Sequence, residues 1–333
     1  MDRFPYLSGM SSLRRKPISL EYNAMWNLIN SAGGIKTVSQ YDDIYYDMFL
    51  YHKKILIFQI IAEETKATVL DNFEELCMQV SGLAARQYSR GDLGYSSGSN
   101  IRIKINRRVM NLLTSIKTFL DYLVGDSKRL FEATGEHATL KNLCSKKYDT
   151  NPLYRIGNDL RNYIQHCGLA GLNFGWSSQQ IDRSEKITTF RFNPQIDKQH
   201  LLENESYFRK TKRDIGAMPD QIPLLPILRS YTSDVMQIHH EFSMEIDSKL
   251  KWIVTECSQM IKMANLNPND WTSLDLVECD VREPRREWVP AEACSRLKEF
   301  SEINGFCQSF GEINDVSLVD PKFVKWLNER REK

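Results

Sequence analysis

The spacing of apolar residues along the chain predicts a protein built mainly from helices. In several stretches apolar side chains recur every three or four residues, the period that gathers them on one face of a helix. These stretches are 42–87, 105–124, 152–167, 198–212 and 223–264. The first is long enough for one helix or two, and the Gly- and Ser-rich segment 91–100 predicts a loop after it. We therefore expect a mainly α fold, arranged as an antiparallel helical bundle.

Past Gly168 the pattern changes from helical spacing to that of strands. The runs GLNFGWSSQQ and KITTFRFN are separated by a polar segment, IDRSE, as expected of two strands joined by a turn. This arrangement predicts an inserted β-hairpin at about 170–193.

Changes in composition divide the chain into three segments. Residues 1–40 are mixed in pattern and are interpreted as an N-terminal segment. Residues 41–265 hold the helical stretches and the hairpin, and form the main domain. Beyond Asn265, proline-containing runs such as REPRREWVP space out short elements, so 266–333 is interpreted as a separate, partly helical C-terminal appendage. Its helices are expected at about 291–304 and 321–331.

The stretch 152–167 has the clearest helix signals in the chain. Asn151 is a favourable N-cap, Pro152 suits the first helical position, and Gly168 suits the C-terminal cap. One stripe of this helix is apolar and consists of Leu153, Ile156, Leu160, Tyr163, Ile164 and Cys167. The opposite side carries Arg155, Asp159, Asn162 and His166, and the flank between carries Asn158, Arg161 and Gln165. The sequence thus predicts an amphipathic helix whose polar side holds the candidate chemistry.

Arg161 and His166 are the candidate functional pair. An arginine supplies a fixed positive charge for a phosphodiester, and a histidine can donate or accept a proton near neutral pH. His166 lies in the last turn, where the helix dipole favours a positive charge. The two residues are about 140° apart around the helix axis. Either Arg161 bends round toward His166, or the two meet across a two-fold axis with a second copy of the chain.

The sequence RNYIQHCGL, in which four residues separate Arg161 from His166, resembles the signature of the HEPN superfamily. The preceding YRIGNDL is also typical of that helix in bacterial members. Upstream, the INRR sequence at 105–108 opens a stretch similar to the helix that packs antiparallel to the motif helix there. The resemblance covers roughly 40–265, and it is sharpest in the motif helix.

The resemblance implies a metal-independent ribonuclease with no cofactor, whose site is formed by the motif Arg and His of two protomers. By this resemblance Arg161 would stabilise charge on the reacting phosphate, His166 would move protons, and Asn162 would orient the His166 ring. The substrate's own 2′-hydroxyl would attack the adjacent phosphate. The implied partners are RNA, a second copy bound through the motif-helix face, and a regulatory or antitoxin protein. The implied role is that of a toxin or antiviral effector.

Contact with RNA would have to come from local basic patches, because the net charge is only +1 over 333 residues. One patch consists of Arg102, Lys104, Arg107, Arg108 and Lys117. The other consists of Arg209, Lys210, Lys212 and Arg213. Arg155 is a further candidate for RNA contact, although the spacing favours a surface ion pair with Asp159, four residues on.

The cysteines and the hydropathy pattern indicate a cytoplasmic protein. There are seven cysteines, an odd number, and they form no C-x-x-C pair, which favours reduced thiols over disulfides or a zinc site. No apolar run is long enough to span a bilayer. No hydrophobic segment follows the basic residues 14–16, so no signal peptide is expected.

Two other interpretations of the same residues stay open. The chain could be a catalytically silent HEPN-like module that binds a nucleotide or a partner protein. It could also be a helical scaffold whose long helices serve oligomerisation. Cleavage of RNA distinguishes the first hypothesis from both alternatives.

Overall fold

The fold was analysed in a computed structural model of the chain. It describes residues 25–30, 36–90, 95–167, 172–182, 187–266, 274–279, 286–290, 293–294 and 296–297. Helices account for most of the described residues, and the rest of the regular structure is small antiparallel sheet. The expected mainly α class is therefore confirmed.

Most of the helical stretches that the sequence predicts are present. The helices are α1 (Asp43–Arg90), α2 (Tyr95–Phe131), α3 (Glu136–Thr150), α4 (Pro152–Cys167), α5 (Lys198–Glu203), α6 (Glu205–Phe208), α7 (Lys212–Gly216) and α8 (Leu224–Met263). Helix α1 is one continuous helix rather than two. The loop predicted at 91–100 is wrong for residues 95–100, which form the first turns of α2; 91–94 lie outside the described residues. Extending a helix that is already packed costs little, so Gly and Ser are tolerated there.

The helix predicted at 198–212 is instead divided into α5, α6 and the start of α7. The break comes at Asn204, whose backbone leaves the helical region with φ −91° and ψ 49°. Its side-chain amide donates to the carbonyl of His200 at 2.7 Å, which closes the last turn of α5. A residue that caps in this way is not visible in a pattern of apolar positions alone.

Seven strands form two antiparallel sheets in the described part of the chain. They are β1 (Met25–Asn30), β2 (Lys36–Asp42), β3 (Leu172–Asp182), β4 (Ile187–Asp197), β5 (Gln221–Pro223), β6 (Leu274–Glu278) and β7 (Arg286–Trp288). Strands β3 and β4 are the predicted hairpin, and β5 adds a third strand through Gln195 opposite Pro223. The hairpin is confirmed and extends beyond the predicted end to Asp197.

The second sheet has the strand order β2-β1-β6-β7 and joins two parts of the chain that the sequence analysis treated separately. Strand β6 pairs antiparallel with β1, with Leu28 opposite Leu276. The prediction of a separate C-terminal appendage is therefore wrong for the strands β6 and β7. Strands of five and three residues carry little periodicity, and no local signal marks a partner so distant in sequence. Of the helix predicted at 291–304, residues 293–294 and 296–297 are described and helical; 321–331 lie outside the described residues.

The contacts divide the chain into two compact units rather than three consecutive segments. Unit 1 comprises Met1–Glu64, Tyr122–Lys141 and His239–Phe306, and unit 2 comprises Thr65–Asp121, Asn142–Ile238 and Cys307–Lys333, with structure described only for the residues given above. The core of unit 1 includes the rings of Phe58, Phe131 and Phe242, which meet edge to face. The core of unit 2 includes the buried side chains of Ile116, Ile156, Leu160, Tyr163 and Tyr231.

Within the described ranges, none of the helices has the length and apolar character needed to cross a bilayer.

Candidate functional site

The motif helix α4 begins as the sequence predicts. The Asn151 side-chain oxygen accepts a hydrogen bond from the backbone N–H of Leu153 at 2.9 Å, and Pro152 is the first helical residue. The amide of Asn151 also donates to the carboxylate of Asp234 on α8. The N-cap is therefore confirmed and is itself held by a neighbouring helix. The predicted cap at Gly168 lies outside the described residues.

The apolar stripe of α4 lies in the core of unit 2, with one exception. Five of its six predicted members are buried: Leu153, Ile156, Leu160, Tyr163 and Ile164. The sixth, Cys167, is exposed, so its assignment to the core is wrong. It is the last residue of the helix, where its side chain lies near Tyr207 of α6.

Helix α8 approaches α4 closely at a glycine. A Cβ atom on Gly157 would lie 2.5 Å from Cγ of Tyr231 and 2.7 Å from its Cβ, well inside van der Waals contact. The Tyr231 ring also meets the ring of Tyr154 edge-on, with centroids 5.2 Å apart. Gly157 is thus the residue that lets the two helices approach. Contacts of α4 with α6 and α8 are described; its predicted packing against 105–124 stays a prediction.

The polar side of α4 is largely covered in its first half, contrary to the sequence analysis. Arg155 does not pair with Asp159. Its Nε and Nη2 donate to Oδ2 of Asp214 at 3.2 and 2.9 Å, and its Nη1 donates to the carbonyls of Tyr148 and Asp149, both at 2.8 Å. The guanidinium ties α4 to α7 and to the end of α3, so its hydrogen-bonding groups are committed within the fold.

Asp159 is buried as well, and it accepts a hydrogen bond from the Thr211 hydroxyl at 2.9 Å. Burial raises the pKa of the Asp159 carboxyl above its ordinary value, and the Thr211 hydroxyl, the Asn158 side chain and the charges of Lys210 and Arg161 oppose that rise. The predicted surface pair is therefore wrong for both residues. The reason is that the segment from α6 to α7 lies along this side of α4, which helical spacing alone does not reveal.

Arg161 stands in a different environment, two turns further along. Its side chain is half-buried, and its Nη2 and Nε donate to the carboxamide oxygen of Asn162 at 2.9 and 3.3 Å. The guanidinium of Arg161 also interacts with the buried hydroxyl of Tyr231. Burial raises the pKa of Tyr231 to about 12, and the positive charge of Arg161 opposes that rise. No carboxylate forms an ion pair with Arg161 in the described part of the chain.

His166 is exposed and lies against an aromatic ring from α6. The imidazole and the Tyr207 ring are roughly parallel, with an interplanar angle of 26° and centroids 6.0 Å apart. Tyr163, one turn before His166, meets the same Tyr207 ring at 5.6 Å. No hydrogen bond joins Asn162 to His166 among the described residues, since the Asn162 oxygen accepts from Arg161. The neighbour that bears on the orientation of the His166 ring is thus Tyr207.

A second histidine lies close to this end of the helix. The hydroxyl of the buried Tyr163 and Nε2 of His200 are 2.7 Å apart. His200 lies in α5. The carboxylate of Asp197, the N-cap of this helix, accepts a hydrogen bond from the His200 backbone N–H at 3.1 Å. Sequence reasoning missed both Tyr207 and His200 as neighbours of the motif. Their distance from α4 along the chain leaves no periodic signal that would have identified them.

The two basic patches differ in how many of their charges are already paired. In the first, Arg108 pairs with Glu75, and Lys117 pairs with Asp121 at 2.6 Å. Its other members, Arg102, Lys104 and Arg107, are exposed. In the second patch all four residues are exposed, Lys212 pairs with Glu205 at 3.0 Å, and Lys210 lies 5.6 Å from the Tyr148 ring centre.

Comparison with known proteins adds no assignment, since no family model, curated protein or solved structure matches the chain. In the described part of the chain, no three or more His, Cys, Asp or Glu side chains are grouped so as to hold a metal ion. The candidate function therefore depends on the residues in the second half of α4. This half presents an arginine without an ionic partner, an exposed imidazole and an aromatic ring beside it.

Proposed function

We propose that the chain is a metal-independent endoribonuclease of the HEPN type, acting as a toxin or antiviral effector. One observation supports this most strongly. Arg161 lies in the second half of a capped helix and His166 lies in its last turn, and neither has a carboxylate within ion-pair distance among the described residues, whereas Arg155 in the first half is paired with Asp214. A cation held in place but not neutralised is suited to bind a phosphate.

The proposed reaction needs charge stabilisation and proton transfer, which these two side chains can supply. The 2′-oxygen of the substrate attacks the adjacent phosphorus, and the bond from phosphorus to the 5′-oxygen breaks. The imidazole of His166 takes the proton from the 2′-hydroxyl and, once protonated, gives it to the departing 5′-oxygen. The products are a 2′,3′-cyclic phosphate and a 5′-hydroxyl. Arg161 stabilises the added negative charge on the phosphate oxygens.

A second copy of the chain is part of the proposal because of helix geometry. Residues about 140° apart on one helix do not readily face one phosphate. Two copies of α4 that cross around a two-fold axis would bring together the Arg161 of one with the His166 of the other. The proposed interface is the polar flank of Asn158, Arg161, Asn162 and Gln165, which are half-buried or exposed. An interface of this composition is expected to be hydrated.

Mixing two inactive variants tests both the chemistry and the dimer. Arg161→Ala and His166→Ala should each lose cleavage, and a mixture refolded together should regain part of it, because heterodimers contain sites that combine intact residues. The controls are Arg129→Ala and His240→Ala, which remove an exposed arginine and an exposed histidine elsewhere. Asn158→Glu combined with Gln165→Glu should weaken the dimer in light scattering and lose cleavage together.

A monomer that cuts RNA would contradict the shared site. A dimer that binds RNA or a nucleotide without cutting it would favour the catalytically silent alternative. That alternative also has a specific observation in its favour, since two N–H groups of Arg161 are already bound to Asn162 and leave fewer for a transition state.

A further inference from the structure

Helix α2 buries one face in the protein and leaves large apolar side chains on the other. Its buried residues include Ile101, Ile105, Val109, Leu112 and Ile116. On the outer side, Ile103 is 63% exposed and Met110 is 42% exposed. These two residues are seven apart, so they lie within about 20° of each other around the axis and about 10 Å apart along it. Two such side chains at this spacing form an apolar strip that no described residue covers.

The charges around this strip have one sign. Residues 95–120 contain five basic residues and no Asp or Glu. Arg107 lies between Ile103 and Met110 on the outer side, and Arg102 and Lys104 lie on its two flanks. All three cations are exposed, and none has an acidic partner among the described residues. The basic residues of 95–120 that do have partners, Arg108 and Lys117, are not needed for the strip.

We propose that this surface, defined as Arg102, Ile103, Lys104, Arg107 and Met110 and called the α2 outer face, docks an acidic amphipathic helix of a partner protein. An amphipathic helix places apolar side chains at intervals of three, four and seven residues, which matches the strip formed by Ile103 and Met110. Acidic residues on either side of its apolar stripe would meet Arg102, Lys104 and Arg107. Apolar contact would supply affinity, and the charges would set the orientation and the rate of association.

The apolar strip distinguishes this partner from RNA. Proteins that bind single-stranded nucleic acid without base specificity combine positive charge with aromatic rings on which bases stack. The α2 outer face has aliphatic and thioether side chains and no aromatic ring. A second copy bound through the same face is also disfavoured, because three cations would then oppose three cations. The inference uses none of the residues at the end of α4, and it assigns Arg102, Lys104 and Arg107 to a protein partner in place of the RNA contact expected from the sequence.

Binding of designed peptides to the full chain tests the proposal. The probe is a fluorescent helical peptide with Leu at positions i, i+4 and i+7 and Glu on both flanks, and its matched control replaces every Glu by Lys. Fluorescence anisotropy should show the acidic peptide binding at least tenfold more tightly than the basic one. Ile103→Ser combined with Met110→Ser should weaken that binding tenfold or more. Replacing Arg102, Lys104 and Arg107 by Gln should weaken it at low salt and remove most of its salt dependence.

Matched variants elsewhere on the surface distinguish specific binding at the α2 outer face from nonspecific binding. Met244→Ser combined with Met263→Ser removes two other exposed methionines, 63% and 49% exposed, and should leave binding unchanged. Replacing Arg209, Lys210 and Arg213 by Gln removes three cations of the other basic patch and should also leave it unchanged. Circular dichroism should show every variant folded, because the replaced side chains are exposed.

Three results would overturn the proposal. The first is equal binding of the acidic and basic peptides. The second is binding that does not respond to the paired Ile103 and Met110 substitutions. The third is an oligoribonucleotide that binds through Arg102, Lys104 and Arg107 and displaces the peptide while being insensitive to the apolar pair. That last result would assign the face to nucleic acid.

Discussion

Helix α4 carries an arginine in each half, and the two arginines have different surroundings. Arg155 donates to a carboxylate and to two backbone carbonyls, and its side chain is 17% exposed. Among the described residues, Arg161 donates to the neutral amide of Asn162 and also interacts with the hydroxyl of Tyr231. Residue type and helical face did not distinguish them in advance. The groups that surround each arginine do distinguish them. Those around Arg155 show that it stabilises the fold, and those around Arg161 leave it able to bind a ligand.

Two other polar residues of α4 also differ in their surroundings. Asp159 is buried against Thr211, while His166 is exposed beside Tyr207. The first half of α4 is thus fixed by α7 and α8, and the last turn is open. A helix of this kind can hold a reactive end in place because its other end is tightly anchored.

The largest expected effect comes from removing the anchored arginine. Arg155→Ala leaves the carboxylate of Asp214, which is 8% exposed, without its guanidinium. We expect the free energy of unfolding to fall by about 3–5 kcal/mol, the usual result of breaking a buried pair from one side. Chemical denaturation measures it. Arg161→Ala is the matched variant and should change stability by less than about 1 kcal/mol. Similar losses from both substitutions would contradict the contrast between the two ends.

A smaller loss of stability is expected at the close approach of α4 and α8. In Gly157→Ala the new methyl group meets the buried Tyr231 at 2.5 Å, so one helix must shift. Overpacking of this kind typically costs about 1–3 kcal/mol, which outweighs the gain in helix propensity. Gly82→Ala in α1 is the control, because nothing lies within 4 Å of the added Cβ. It should stabilise the protein by about 0.5–1 kcal/mol in the same denaturation experiment. A stabilised Gly157→Ala variant would show that the contact is not tight.

At the open end, Tyr207 should act as a positioning residue for His166. Tyr207→Ala removes the ring beside the imidazole, and we expect the rate of RNA cleavage to fall roughly tenfold, mainly in kcat, with little change in KM. Tyr207→Phe keeps the ring and should retain most of the activity. If Phe and Ala variants lose activity equally, the hydroxyl rather than the ring is responsible, and the stacking role is wrong.

The smallest expected effect is a change in how stability depends on pH. The folded pKa of Asp159 is raised by burial, so between its unfolded value of about 4 and the raised value the folded state binds more protons than the unfolded state. This contribution favours folding at the acidic end of that window and is lost as the pH rises through it. Asp159→Asn, which keeps an acceptor for Thr211, should remove it. Thermal unfolding measured from about pH 4 to pH 7 should therefore show a free energy of unfolding that falls less steeply with pH in the variant than in the unaltered protein.

Local patterns predicted what is local to α4. Helical spacing identified the helix, Asn151 as its cap and five of the six residues of its buried stripe. Spacing fixes only the face on which a residue lies, however, and not the element that covers that face. The partners of Arg155 and Asp159 are Asp214 and Thr211, more than fifty residues further along the chain. The same limit explains why the pairing of β6 with β1 and the place of Tyr207 beside His166 were not predicted.

The central proposal is that the open end of α4 cleaves RNA, and one measurement tests it most directly. A fluorescent RNA is incubated with the protein, with Arg161→Ala and with His166→Ala, all in the presence of EDTA, and the ends of the products are identified. We expect the unaltered protein to produce 2′,3′-cyclic phosphate and 5′-hydroxyl ends, and each variant to be folded and at least about a hundredfold slower. Cleavage that requires a divalent ion, or that survives both substitutions, would contradict the proposal.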